Sequence, residues 1–411
     1  MSVFRTRGVR PLLAAEAVSA LGSQMTYLAL PWFVLVTTGS ATKMGLVLAV
    51  QLLPVAILGI PSGTVVARLG ARRTMLASDA ARAPVLLSVP LLHSAGLLSF
   101  PLLLVCVALL GLFIAPHFSA QRLILPDLIG EDERGVTQAN AIVEGVQRST
   151  SLLGPAAAGV LISLVGATNV LYLDAATFAF SFLVLRFLVP RGRPTPASDE
   201  SRGVLAGVRF LRRDRLLASL LVTALFLNAF GQMLAASLPV LAFDEFGESS
   251  RVAGAFFAAF GGGAVLGSVV AVRIVHRFDP IRLGAVSLVA LTVPIWLLPL
   301  GLPAPGVMAV LFLSSAFGPL VNAPLIGVIT MRTPEALRPK VMTAVLTFAM
   351  LAGPLGLLAV GPLLAGIGVY KVFLVIAAGQ TLASTIFAVA AARAPRRGGD
   401  AEAVAAPVAP V

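Results

Sequence analysis

Charge, cysteine and histidine are all in short supply in this chain. One cysteine occurs in 411 residues, Cys106, and it lies in an apolar run. That excludes a disulfide framework and a thiolate metal site. Three histidines and 18 Asp plus Glu leave little material for acid–base catalysis. No HExxH, no Cys/His cluster and no plausible catalytic triad occurs, and no G-x-x-x-x-G-K-[ST] loop exists to cradle a nucleotide. The run Gly261–Gly263 reads as helix packing. No enzyme activity, cofactor or metal is therefore expected. Charged residues make up 12% of the chain, against about 25% in a soluble domain.

What fills the space is apolar. AVILMFWYC residues account for 58%, with 38 glycines besides, and mean hydropathy is +0.97. The apolar runs are unbroken over about 20 residues, the length of a transmembrane helix. Barrel strands would instead alternate apolar and polar over about ten residues. Charged and Pro/Gly breaks divide the runs into spans at 11–36, 44–66, 76–92, 97–119, 139–165, 168–189, 216–242, 252–274, 283–301, 305–330, 341–366 and 370–392. The pattern predicts an all-α polytopic membrane protein with twelve transmembrane helices. The net charge of +12 would suggest nucleic acid in a soluble chain, but its placement points to the bilayer instead. Of the 30 Lys and Arg residues, all but Lys43, Arg251 and Lys371 fall on the side of the N-terminus. Cytoplasmic loops carry the Lys/Arg excess, so both termini are expected to be cytoplasmic. The basic start (Arg5, Arg7, Arg10) leads into a span too long for a cleavable signal. Arginine far outnumbers lysine, as in GC-rich bacterial genomes, and the expected location is a bacterial cytoplasmic membrane.

The longest hydrophilic stretch separates six spans from six. The expected organisation is a six-helix bundle over 1–189, a cytoplasmic linker over 190–215, a second bundle over 216–393 and a disordered tail over 394–411. Within the linker, Val204, Val208 and Leu211 share one face and Arg209, Arg212, Arg213 and Arg215 lie mostly elsewhere. This suits an amphipathic helix on the inner leaflet; a simple stop-transfer charge cluster is the other reading. The halves also echo one another. Gly154-Pro155 with Gly159 recurs as Gly361-Pro362 with Gly366, and Gly63 with Ala67 recurs as Gly267 with Ala271. Parallel six-helix repeats with a site at their interface are one established transporter plan.

The segment Gly63-Thr-Val-Val-Ala67-Arg68-Leu69-Gly70-Ala71-Arg72-Arg73 resembles the loop signature G-x-x-x-D-R-x-G-R-R of the major facilitator superfamily. Leu21–Thr26 leading into Ala29–Trp32, Asn140 before Gly154-Pro155, and Leu173–Ala176 with Phe178 are similar to its macrolide-efflux and siderophore-exporter branch. The resemblance spans about residues 5–392 and implies a secondary transporter. It also implies a cytoplasmic gate at Gly63, Arg68, Gly70, Arg72 and Arg73, and its proline-glycine elements on helix five favour export. One departure matters: the acidic residue of the loop is replaced by Ala67. Asp79 and Arg82, three apart on one helix face, could supply a substitute pair.

Ionisable groups inside a bilayer cost about 2.5–3.5 kcal/mol at the centre of a span, so they face a cavity or a partner. The proton-coupling candidates are Glu144, Asp174 and Glu16, in that order. Glu144 has Arg148 four residues on as charge partner. Asp174 has no partner within sequence reach, and a packing role is its competing reading. The expected cavity lining is Gln24, Tyr27, Gln51, His117, Gln147, Asn228, Gln232 and Asn322, with Phe348 and Met350 suiting a greasy pocket. The expected function is proton-coupled efflux of amphiphilic small molecules by a monomer using alternating access. A nutrient permease on the same plan, or a non-transporting membrane assembly or sensor protein, are the alternatives. If Arg68 gates rather than merely orients the chain, Arg68→Gln leaves expression and orientation intact and cuts transport. Transport assayed at matched protein level checks this, and an unaffected rate refutes it.

Overall fold

The computed structural model describes residues 8–129, 133–190, 209–211, 214–334 and 337–393. Most of the expected linker and the whole tail after Arg393 lie outside these residues. Among the described residues, thirteen α-helices follow one another: α1 (Val9–Thr38), α2 (Ala41–Leu69), α3 (Ala71–Ser94), α4 (Phe100–Ile129), α5 (Glu133–Val165), α6 (Ala167–Phe187), α7 (Arg215–Glu245), α8 (Ser250–Ile274), α9 (Pro280–Thr292), α10 (Ala304–Ala316), α11 (Gly318–Arg332), α12 (Arg338–Ile367) and α13 (Val369–Ala392). No strand occurs among the described residues. Among the described residues, eleven segments are long and apolar enough to cross a membrane, with α9 and its continuation as one and α10–α11 as another. In α12 the apolar part is the shorter Leu351–Ile367.

Local chemistry explains where the helices start and break. Ser40, Asp214, Ser249 and Asp279 each accept a backbone N–H in the first turn that follows, supplying the orphan donors of a helix start. Gly39 ends α1 in the left-handed region (φ 61°), where glycine carries no steric penalty. The division near His93–Gly96, almost without polar residues, is real: Gly96 turns the chain at φ 70°. The ninth span is not uniform. After Thr292 it tightens into a 3-10 helix over Val293–Leu300, where Pro294 and Pro299 remove backbone donors. The tenth breaks at Phe317 ahead of Gly318-Pro319 for the same reason. Toward the side of the termini, α4 outruns its apolar run by about three turns and α5 by about two. Lys43, Arg251 and Lys371 all sit at the starts of helices that begin at the end away from the chain termini.

Helices α1–α6 pack mainly on one another: α1 on α5 and α6, α3 on α4 and α6, and α2 on α4. Helices α7–α13 do likewise, with α7 against α12 and α13, α8 against α10, and α9 against α11 and α13. Two antiparallel helix pairs, α5·α8 and α2·α12, carry most of the contact between the groups. Both cross on glycine. A Cβ at Gly254 would stand 2.8 Å from the Cα of Gly159, and one at Gly361 would stand 2.9 Å from the Cα of Thr42. The α5·α8 contact runs the length of the helices, from Arg251 donating to Ser163 (2.7 Å), through Leu152 on Gly261, to Arg148 donating to Ser268 (2.7 Å). Between α2 and α12, Gly45 meets Gly361 and Leu52 meets Gly353, all in the first half of α2. Farther along, Gly59 and Gly63 meet nothing within 4 Å among the described residues.

These contacts correct the expected register of the repeat. Gly159 on α5 and Gly361 on α12 are the positions that meet the opposite group of helices. Gly154 instead packs on Gln24 of α1, and its counterpart by contact is Gly356, which packs on Ala229 of α7. Gly366 faces open space and Pro362 is exposed, whereas Pro155 is buried. The two proline-glycine elements match as letters but not as neighbours, because packing depends on which glycine faces the partner backbone. Gly254→Ala pushes Cβ against backbone that cannot rotate away and is expected to destabilise by about 1–3 kcal/mol. Gly59→Ala fills open space, gains helix propensity and is expected to stabilise by about 0.4–1 kcal/mol. Thermal unfolding followed by fluorescence checks the opposite signs.

Candidate functional site

Where α1, α2, α7, α8 and α12 converge, aromatic and amide side chains from both helix groups meet. The Tyr27 hydroxyl on α1 donates to Gln232 Oε1 on α7 at 3.3 Å. Its ring packs edge-to-face on Phe257 of α8, with centroids 5.9 Å apart at 80°. A methyl group at Gly353 of α12 would lie 3.2 Å from Asn228 Oδ1, 3.4 Å from Gln232 Cγ and 3.1 Å from Leu52 of α2, so glycine there lets these groups close up. Tyr27 keeps 38% of its surface open. The cluster brings together Tyr27, Asn228 and Gln232 of the expected lining. Of the rest, Gln24, Gln51 and Gln147 are half-buried and Asn322 is exposed. Phe348 is half-buried, and the side chain of Met350 lies outside the described residues.

His117 belongs elsewhere. It is buried within the first six helices with Glu16 of α1 and Asp79 and Arg82 of α3. Arg82 donates to Asp79 Oδ1 at 2.6 Å and stacks 4.3 Å above the ring of Phe178. Ser181 donates to Asp79 Oδ2 at 2.7 Å, and Gln121 donates to Glu16 Oε2 at 2.5 Å. His117 stands 3.6 Å from both Glu16 Oε1 and Asp79 Oδ1. Asp79 and Arg82 therefore pair as their spacing suggests, but inside this helix group, about two turns into α3. Breaking such a buried pair by removing one partner costs about 3–5 kcal/mol.

Asp174, expected to lack a partner, has two. Thr26 of α1 donates to Oδ2 at 2.5 Å and Thr177 donates to Oδ1 at 3.0 Å. Gly22, one turn before Thr26, leaves the room, since a Cβ there would overlap both Asp174 and Thr177. The stretch Gly22–Thr26 is thus a socket for Asp174.

Glu144 and Arg148 do pair, at 3.0 Å, but their side chains are 65% and 54% exposed. An ion pair this open is worth about 0–1 kcal/mol. Arg148 also reaches across to Ser268 of α8, so it bridges the two helix groups. Among the loop arginines, Arg72 caps the end of α6, donating Nε to the carbonyls of Leu185 (3.1 Å) and Val189 (2.9 Å) and Nη2 to that of Arg186 (2.9 Å). Arg68 and Arg73 are exposed, and Gly63 adjoins open space. Gly70 joins α2 to α3 at φ 82°, a conformation that calls for glycine. No His/Cys/Asp/Glu group able to hold a metal occurs among the described residues.

Sequence reasoning gave no site role to Thr26, Thr177, Phe178, Gln121, Ser181, Phe257, Ser268 or Gly353. Three were within reach: Gln121 is one turn beyond His117 on the same face, Thr177 is one turn beyond Asp174, and Thr26 is one turn beyond Gly22. The others join elements remote in sequence, and no spacing signals them.

The profile described as Major Facilitator Superfamily matches residues 12–357 and 221–410. Among characterised relatives, the multidrug efflux pump Tap of Mycobacterium tuberculosis (strain ATCC 25618 / H37Rv) is 27% identical over 383 residues, covering 89% of each chain. The pump of the same name from Mycolicibacterium fortuitum is 27% identical, over 88% of this chain and 90% of its own. The uncharacterised MFS-type transporter YfiS of Bacillus subtilis (strain 168) is 28% identical over 91% of both. Among solved structures, the nucleoside transporter NupG superposes with a TM-score of 0.76 at 14% identity, over 94% of this chain and 99% of that one. A bacterial homologue of the human lysosomal transporter Spinster, inward-facing and occupied, gives 0.73 at 15%, over 93% and 96%. The helix order, the paired glycine crossings and the profile match agree: this chain is a membrane transporter of the major facilitator superfamily.

Proposed function

We propose that the chain exports amphiphilic small molecules in exchange for protons. It does so as a monomer in a bacterial cytoplasmic membrane, with twelve spans, two six-helix bundles and cytoplasmic termini. The observation that carries this reading is the Tyr27–Phe257–Gln232–Asn228 cluster at the junction of the two helix groups. Aromatic edges with a few amides, and no charged group among these contacts, suit a greasy solute with a polar rim. The relatives named as multidrug efflux pumps favour export over uptake. The one-sided placement of Lys and Arg favours cytoplasmic termini.

With that orientation, the close approaches of Thr42 and Gly45 to Gly361 and of Leu52 to Gly353 lie toward the outside, and Gly59 and Gly63 adjoin open space toward the cytoplasm. The arrangement is then inward-facing, and rocking of the two bundles around the midplane site moves the solute outward. Arg68 remains the gate residue of this cycle, Arg73 lies beside it, and Arg72 holds α3 to α6. One proton crossing 100 mV supplies about 2.3 kcal/mol, enough for a gradient of about fifty-fold. Burial reorders the coupling carboxylates: Glu16 and Asp174 are enclosed, whereas Glu144 is open and serves as the charge that sets Arg148 on Ser268.

Inverted vesicles loaded by this protein with ethidium, a cationic amphiphile, test the reading. Uptake is expected to collapse on adding a protonophore, and uptake that ignores the protonophore refutes proton drive. Tyr27→Ala is expected to raise the half-saturating ethidium concentration about ten-fold, the loss of roughly 1.4 kcal/mol of contact. Glu16→Gln or Asp174→Asn is expected to abolish protonophore-sensitive accumulation, with Glu144→Gln the mildest of the three. Full accumulation in all three rules out coupling through these carboxylates.

A further inference from the structure

Four ionisable side chains from three helices share one enclosed space: Glu16 on α1, Asp79 and Arg82 on α3, and His117 on α4. Their exposures are 4%, 0%, 6% and 8%. A guanidinium has donors only. Arg82 Nη2 lies 2.8 Å from His117 Nδ1, so Nδ1 presents its lone pair. The imidazole is then neutral, with its proton on Nε2 facing Glu16 Oε1 at 3.6 Å. That oxygen accepts no hydrogen bond among the described residues, although Oε2 is held by Gln121. Two carboxylates and one guanidinium leave one uncancelled negative charge in the cluster. A single proton cancels it.

The ion pairs that Glu16 and Asp79 make are with His117 and Arg82. From α6, Ser181 and Phe178 are neutral, and Asp174, held by Thr26 and Thr177, adds negative field that reaches Arg82 and Asp79. From α4, Gln121 is neutral. Among the described side chains of α2 and α5, Arg68, Glu144 and Arg148 are exposed.

The geometry points to Glu16, His117, Asp79 and Arg82 as a buried proton-binding site in which an arriving proton transfers the imidazole from Arg82 to Asp79. The proton comes from the aqueous phase and adds to the Nδ1 lone pair. Nδ1–H and Arg82 Nη2 are then both donors, so their hydrogen bond is lost. Nδ1–H turns to Asp79 Oδ1, already 3.6 Å away, and Nε2–H still faces Glu16 Oε1. Arg82 keeps its bond to Asp79. Release of the proton reverses each step. Protonation thus tightens α4 against α1 and α3, and α1 also carries Tyr27 into the junction of the helix groups.

The transport consequence rests on the proposed exporter function; the protonation chemistry does not. His93 and His276 are the other two histidines and both are exposed, so H93Q/H276Q leaves His117 as the single histidine of the full chain. In lipid nanodiscs with nitrogen-15 histidine, NMR is expected to show the Nε2–H tautomer at about pH 8 and a doubly protonated ring at about pH 5. Glu16→Gln is expected to shift that transition. A neutral Nδ1–H ring, or a ring unchanged across this range, overturns the proposal. In inverted vesicles, His117→Gln is expected to cut protonophore-sensitive ethidium accumulation by about ten-fold or more, within the roughly fifty-fold that the gradient supports. Undiminished accumulation overturns the coupling role. Wild-type vesicles that fail to move ethidium overturn the exporter reading, and the NMR titration then decides the proton site by itself.

Discussion

Close approach of helix backbones is the constraint on which this molecule depends. Lipid offers no hydrophobic drive for helices to associate, so their contacts come from dispersion and hydrogen bonds, which weaken steeply with separation. Glycine at Gly159, Gly254, Gly45 and Gly361 lets α5 meet α8 and α2 meet α12 at backbone distance. Those two crossings set how the first six helices sit against the rest. The junction cluster follows from them. Tyr27, Phe257, Gln232 and Gly353 come from four helices and meet because the crossings bring those helices to one place. The α5·α8 contact carries a polar bridge at each end, Arg251 on Ser163 and Arg148 on Ser268, and suits a fulcrum.

Ionisable groups are distributed as unevenly as the contacts. Among the described residues, the enclosed ones lie in the first six helices, where Glu16, Asp79, Arg82, His117 and Asp174 each meet neighbours on other helices. In the later helices the buried polar groups among the described residues are neutral, as with Thr223, Gln380 and Ser384. Burying a charge is tolerable only with partners in place, and partners from several helices hold those helices in a fixed relation. The first helix group is therefore the one that encloses charge. The later group supplies half of the junction pocket from apolar and amide side chains.

Spacing along one helix predicted pairings well and their surroundings poorly. Glu144–Arg148 and Asp79–Arg82 both form, at 3.0 Å and 2.6 Å. The first is open and the second enclosed, a difference that no pattern of letters carries. His117 read as one polar residue among several lining a cavity, yet its neighbours are two carboxylates on helices one and three. Asp174 read as unpartnered because Thr26 lies far away in sequence and a threonine is not a conspicuous partner.

The sequence by itself determined the helices, their breaks and the sidedness of charge, and with the loop signature it pointed to the family. Each of these rests on local physics: an apolar run of membrane length, a capping hydroxyl or carboxylate, a proline without a donor, a count of basic residues per loop. Tertiary structure alone decided which glycines face each other, which carboxylates are enclosed and which side chains from opposite helix groups meet. Those depend on distances of a few tenths of an ångström between helices remote in the chain. The repeat shows the boundary between the two. Gly154-Pro155 and Gly361-Pro362 are alike as sequence, but the backbone each glycine meets is set by the crossing, so Gly361 answers to Gly159.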